Sequence, residues 1–179
     1  MIKLSSTMQK FVLHWGEMGA RWGINRTVAQ IHALLYISPK PLNAEDIAET
    51  LSLARSNVSN SLHELQGWGI VKIVHIMGDR RDYFESLKDV WQMFQMVLEQ
   101  RRKREIDPTV RILRECLEEL EKNGTEDAYT KKSLAEMLDF FETALACYKD
   151  ISRLPSNSWR KLAKVGGKVQ KLLGSIGIK

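Results

Sequence analysis

Apolar residues recur along this chain mostly at helical intervals. Leu4, Met8, Phe11, Val12, Trp15, Met18 and Trp22 are spaced so that their side chains share one face of a helix. Gly23-Ile24-Asn25 interrupts that stripe, and Thr27 to Ile37 reads as a second helix, ended by Ser38-Pro39-Lys40-Pro41. Asn43 is suited to cap a third helix starting at Ala44, with Glu45 and Asp46 in the first turn, where the helix dipole favours negative charge. Its stripe is Ile47, Ala48 and Leu51, and Ala48 is small enough to let another helix cross closely. Only Ser52-Leu53-Ala54 separates it from a fourth helix, which predicts a tight turn with Leu53 tucked beneath it.

In the fourth helix Val58, Leu62 and Leu65 fall on one face, leaving Arg55, Ser56, Asn57, Ser59, Asn60 and His63 pointing outward. A solvated helix face usually carries Glu and Lys, which favour helix. Here poor helix formers, two Asn and three Ser counting Ser61, stand where folding does not ask for them. They are residues that suit base edges and phosphates. Ala54 occupies the position of an expected capping Ser, so the helix begins at Ser52 or leans on a phosphate instead.

Gly67-Trp68-Gly69 ends this helix, and Ile70 to Ile76 has strong strand propensity. Gly78-Asp79-Arg80-Arg81 makes a turn and Asp82-Tyr83-Phe84 returns, giving a hairpin with two guanidinium groups at its tip. Arg80 and Arg81 could be surface charges paired with Asp79 and Asp82. Beside a reading helix they are better explained as contacts to phosphate or to a narrow minor groove. Helix, tight turn, helix and hairpin form a winged helix-turn-helix, whose second helix fits the major groove of double-stranded DNA. His63 and His75 lack Cys or carboxylate partners at ligand spacing, so neither a metal nor a cofactor is expected.

Past the hairpin, Val90, Phe94, Val97, Leu98 and Arg101 mark one face of a long helix, expected to stop where Asp107-Pro108 caps and begins another. Leu113, Leu117 and Leu120 stripe that next helix as far as Asn123-Gly124. Another helix, roughly 126 to 152, carries Leu134, Met137, Leu138, Phe141, Leu145 and Tyr148. These helices have more apolar surface than one chain can hide, which predicts a homodimer. In it they form a bundle with the N-terminal helix and set two reading helices about 34 Å apart. The expected fold class is mostly α with a small β-hairpin wing: a winged helix-turn-helix domain plus a helical dimerisation bundle. The expected divisions are an N-terminal supporting helix at 1–22, the winged module at 23–86, the dimerisation region at 87–154 and a basic amphipathic tail at 155–179.

Charge adds less than its total suggests. The net charge of the 179 residues is +5, but residues 1–85 hold nine Lys and Arg against eight acids, 86–150 eleven against fourteen, and 151–179 seven against none. DNA affinity must therefore come from where a few charges stand. The tail places Trp159, Leu162, Val165, Val169, Leu172, Leu173 and Ile176 on one side of a helix, with Arg160, Lys161, Lys164, Lys168 and Lys171 elsewhere, and Gly166-Gly167 weakens it. It reads first as a helix packed on the body or a partner subunit, next as a nonspecific DNA arm, and last as a membrane-surface contact. Cys116 and Cys147 offer no disulfide framework and read as core or interface residues rather than a redox switch. No apolar run spans a bilayer and the N-terminus lacks a secretory core, so a cytoplasmic location is expected. No nucleophile has a base and orienting partner at motif spacing, which argues against an enzyme.

One combination of segments resembles a known family. Asn57-Val58-Ser59-Asn60-Ser61-Leu62, Trp68-Gly69-Ile70-Val71 and Gly78-Asp79-Arg80-Arg81-Asp82-Tyr83-Phe84-Glu85 are similar to MarR-type repressors, most closely the branch of GbsR, the glycine betaine synthesis regulator. The likeness continues through Trp91 and the basic run 101–106 to about Leu120. It implies a dimeric, ligand-responsive repressor on a pseudo-palindromic operator, with an effector near the junction of bundle and wing domain. Trp15, Trp22, Tyr83, Trp91 and Phe94 are the aromatic candidates there, and a cage of them would suit a quaternary ammonium such as choline or betaine; ordinary core packing is the default for all five. The competing expectation is a winged-helix module whose polar face meets a protein.

Overall fold

Capping side chains set the first breaks in the chain, as the computed structural model shows over the residues it describes, 3–122, 128–155 and 158. Ser5 Oγ accepts the Met8 N–H at the start of α1 (Ser6–Arg21), and Asn25 Oδ1 accepts the Thr27 N–H at 2.8 Å to open α2 (Arg26–Ile37). Asn43 Oδ1 accepts the Asp46 N–H at 2.9 Å and starts α3 (Ala44–Leu51), as its sequence predicts. Ser52, at φ +53°, closes α3 in the left-handed region and turns the chain straight into α4 (Arg55–Gly67).

The sheet has three antiparallel strands: β1 (Leu42–Asn43), β2 (Val71–Val74) and β3 (Tyr83–Ser86), in the order β1-β3-β2. Leu42 opposes Phe84 in one pair, and Val71 and Val74 oppose Ser86 and Tyr83 in the other. Two features differ from the sequence expectation. The strand does not extend to Ile76 but ends at Val74, because Ile76 and Met77 have left the ladder and are exposed, Met77 completely. β1 is a strand only by pairing with β3, and two residues carry no period of their own.

The chain divides into two units, one ending at Met96 and the other starting at Val97. The core of the first is built from Ile31, Leu34 and Leu35 of α2, Ile47 of α3, Val58, Leu62 and Leu65 of α4, and Ile70, all at most 2% exposed. Burial of such side chains, each worth roughly 1.5–3 kcal/mol, is what orients α4. α1 packs on α2 through Val12, Gly16 and Gly19. A Cβ at Gly19 would lie 2.5 Å from the Cβ of Ala29, so only glycine permits this approach. His32 is 6% exposed between Trp15 and Tyr36, and its Nε2 has no hydrogen-bond partner among the described residues. Burial, seconded by the Lys88 charge, lowers its pKa to about 4. Lys88 Nζ donates to the carbonyls of Leu35, Tyr36 and Ser38 at 2.8–3.0 Å, satisfying the open end of α2. Asp89 then caps α5 (Val90–Arg101), accepting from the Trp91 and Gln92 N–H groups.

The second unit corrects the expected stop at Asp107-Pro108. The backbone stays helical from the end of α5 through a π turn (Arg102–Ile106) into α6 (Asp107–Lys122), and the Asp107 N–H donates to the Arg102 carbonyl five residues back. The wider turn accommodates a proline that an α-helix would not, since Pro108 has no N–H and its ring would meet the carbonyl four residues earlier. Arg102 bridges Glu99 at 2.8 Å and Asp107 at 2.6 Å, and Tyr148 of α7 (Ala128–Ser152) donates to Glu99 at 3.1 Å. Val110 and Leu113 are the buried residues of α6. Leu134, Leu138, Phe141, Leu145 and Tyr148 of α7 are only half-buried, while Ile112, Tyr129, Met137 and Phe140 are exposed. The tail, apart from Pro155 and Ser158, lies outside the described residues. No helix among the described residues is long and apolar enough to cross a membrane.

Candidate nucleic-acid interface

α4 carries the predicted reading face. Val58, Leu62 and Leu65 anchor it in the core, and Arg55, Ser56, Asn57, Ser59, Asn60 and His63 are all exposed. Ser61 is the exception to the sequence reading: it is 5% exposed, on the anchoring side between Val58 and Leu65. The helix begins at Arg55 and not at Ser52, since Ser52 closes α3 and Ala54 is the N-cap with no side-chain bond to the first turn. The first amides of α4 are thus open toward an anion. Asn57, Ser59, Asn60 and His63 make no side-chain hydrogen bond among the described residues, so their donors and acceptors are available.

The two wing arginines differ. Arg81 is locked: Asp79 accepts from its Nε at 3.0 Å and from its Nη2 at 2.6 Å, and Tyr83 Oη lies 2.9 Å from the same Nη2 and donates to Asp79 at 2.7 Å. These bonds hold the Asp79 carboxyl well below the usual carboxylate range. The guanidinium also lies over the Tyr83 ring, 5.6 Å from its centre. Arg80 is exposed and has no ion-pair partner among the described residues. Asp82 faces His75 at 3.8 Å rather than either arginine.

Between α4 and the wing lies a groove of about 400 Å³ lined by Glu45, Arg55, Ser59, His63, Arg81 and Asp82, among others. Glu45 joins its walls, with one oxygen 3.2 Å from Arg55 Nη1 and the other 3.9 Å from Arg81 Nη1. The sequence points to Glu45 only as a helix-dipole residue. Its contact with Arg81 comes from tertiary packing and leaves no local signal.

The aromatic candidates for an effector stand on α1, β3 and α5. Trp15 stacks with Phe11 at 5.5 Å and faces His32 across the α1–α2 contact, while Tyr83 belongs to the Asp79–Arg81 lock. Trp22 is the exposed C-cap of α1, and Trp91 and Phe94 lie on α5, half-buried and exposed.

Residues 22–82, the stretch from the end of α1 to the end of the wing loop, match the model of the MarR family. A curated relative described as "Putative HTH-type transcriptional regulator YvaV", from Bacillus subtilis (strain 168), is 23% identical over 140 residues, covering 73% of this chain and 79% of its own. A crystal structure of a transcriptional regulator superposes with a TM-score of 0.62 at 19% identity, over 82% of this chain and 95% of that one, which shows a shared fold. Helix order and strand order make the first unit a winged helix-turn-helix, and within it residues 22–82 are similar to the MarR family.

Proposed function

We propose that this chain is a sequence-specific DNA-binding transcriptional regulator that works as a homodimer on a pseudo-palindromic operator. One observation carries the reading: α4 buries its apolar face completely and turns outward a face of Arg, Asn, Ser and His on which only Arg55 has an ion-pair partner among the described residues, with an uncapped first turn. The MarR family match over the same residues supports it. Arg55, Asn57 and Asn60 have the donors and acceptors for base edges, Ser56, Ser59 and His63 for edges or phosphates, and Arg80 and Arg81 for the backbone or minor groove beside them. The dimer rests on the apolar side chains of α6 and α7 that the single chain leaves exposed. Repression, a GbsR-like response to a choline- or betaine-like effector and a cytoplasmic location belong to the same reading. Fluorescence titration of the tryptophans with both ligands tests the effector.

The DNA reading is tested by substitution. Arg55→Ala should cost about 1–3 kcal/mol and relax sequence preference, whereas Arg80→Ala should weaken binding to every duplex and reduce the salt slope by about one. Equal retention of both variants on duplex DNA would favour a protein partner for the polar face.

A further inference from the structure

We propose that Glu45 is a positioning residue that occupies the arginines of α4 and the wing in the free protein and must yield them to phosphate. The proposal rests on the DNA-binding reading and gives it an affinity threshold. Three elements meet at this carboxylate: Glu45 stands in the first turn of α3, Arg55 in the first turn of α4, and Arg81 in the wing. Asp79 and Tyr83 take the Nε and Nη2 side of Arg81, leaving Nη1, and Nη1 is the atom that faces Glu45. Each oxygen of Glu45 thus serves a different arginine. Two guanidinium groups against the carboxylates of Glu45 and Asp79 make the cluster neutral, so the groove offers a polyanion no excess charge there until Glu45 is displaced.

Displacement is feasible. The side chains of Arg55, Glu45 and Arg81 are 73%, 51% and 53% exposed, and ion pairs between solvated groups are weak and salt-sensitive. A phosphate presents the same charge and the same kind of acceptor oxygens as the carboxylate it replaces. Asp79, in contrast, is held by the Arg81 backbone N–H as well as by Tyr83, and stays with its arginine. Every duplex must overcome Glu45, but only one that also satisfies Asn57 and Asn60 gains enough in return. Glu45 therefore lowers the affinity for every duplex by the same factor, and only duplexes with further contacts to Asn57 and Asn60 remain tightly bound.

The test compares full-length wild type, Glu45→Gln, Glu45→Asp, Glu64→Gln and Glu45→Gln with Arg55→Gln. Anisotropy is read on a random-sequence duplex and on a duplex enriched by the wild type from a random pool, over a salt series. Glu64 is an exposed acid of α4 and controls for overall charge; Glu45→Asp keeps the charge at the α3 terminus but shortens the reach. Glu45→Gln should bind the random and the enriched duplex each about three- to tenfold more tightly at low salt, with a slope steeper by about one and the ratio of the two affinities unchanged. Glu45→Asp should shift the same way by less, Glu64→Gln should change little, and removing Arg55 should cancel the gain. A Glu45→Gln affinity no higher than that of Glu64→Gln, or a gain that survives loss of Arg55, overturns the proposal while wild-type binding stands. A wild type that ignores every duplex at low salt overturns the DNA reading and this proposal together.

Discussion

His32 links a single side chain to the stability of the first unit. The free imidazole takes up a proton near 6.5, but in the folded chain burial delays this to about 4. Between those values the unfolded chain binds more protons than the folded one. The contribution is therefore complete above pH 6.5 and lost as pH falls through the window, by roughly 3 kcal/mol at most. Urea unfolding across this range should show the loss in the wild type and a flatter profile in His32→Gln; the same slope in both would assign it to other groups. Other residues show where reading a sequence stops. Ser59 and Ser61 have identical chemistry, and only their angular position on α4 sends one outward and one into the core. Arg80 and Arg81 are likewise alike in sequence, yet Arg81 is aimed by Asp79 and Tyr83 and Arg80 is not. The first difference follows from the helical angle set by Val58 and Leu65, and the second from the conformation of the wing turn, which the order of its residues does not fix.

α4 combines weak helix formers with an N-cap that makes no side-chain bond, so the element is held by burial of Val58, Leu62 and Leu65 rather than by local preference. Ala54 already has the extended backbone of a cap, at φ −64° and ψ 139°. Ala54→Asp should thus stabilise the protein by about 0.5–2 kcal/mol while weakening duplex binding, because the new carboxylate takes the amides a phosphate would use. Thermal unfolding and DNA titration should move in opposite directions, and parallel movement would argue that these amides face no phosphate. The helices of the module were legible because stripe, cap and turn signals agreed at Asn43, Val58 and Gly69. The π turn was not, because Pro108 reads as a stop in any scheme that allows only α-helix or no helix. β1 escaped for a different reason: its hydrogen-bond partners stand some forty residues away, at Tyr83 and Phe84.

At the scale of the whole molecule, the described residues of the second unit leave Ile112, Tyr129, Met137 and Phe140 exposed, and the proposed dimer would cover them. Met137→Glu with Phe140→Glu should convert a dimer to a monomer in sedimentation and lower affinity for an enriched duplex by more than about tenfold, since two linked half-sites become one. A variant that keeps both dimer mass and affinity would place the subunit contact elsewhere. The stripe on α7 was readable in the sequence, but which of its residues stay uncovered depends on how α6 and α7 meet. In the first unit, the glycine contact between α1 and α2 has a consequence for engineering. At Gly19 the helix surface is notched to receive the Ala29 methyl like a key in a lock, so sliding α1 along its partner would bring a side chain against that methyl. Grafting another amphipathic segment with the same apolar stripe onto this module would fail unless it reproduced that notch.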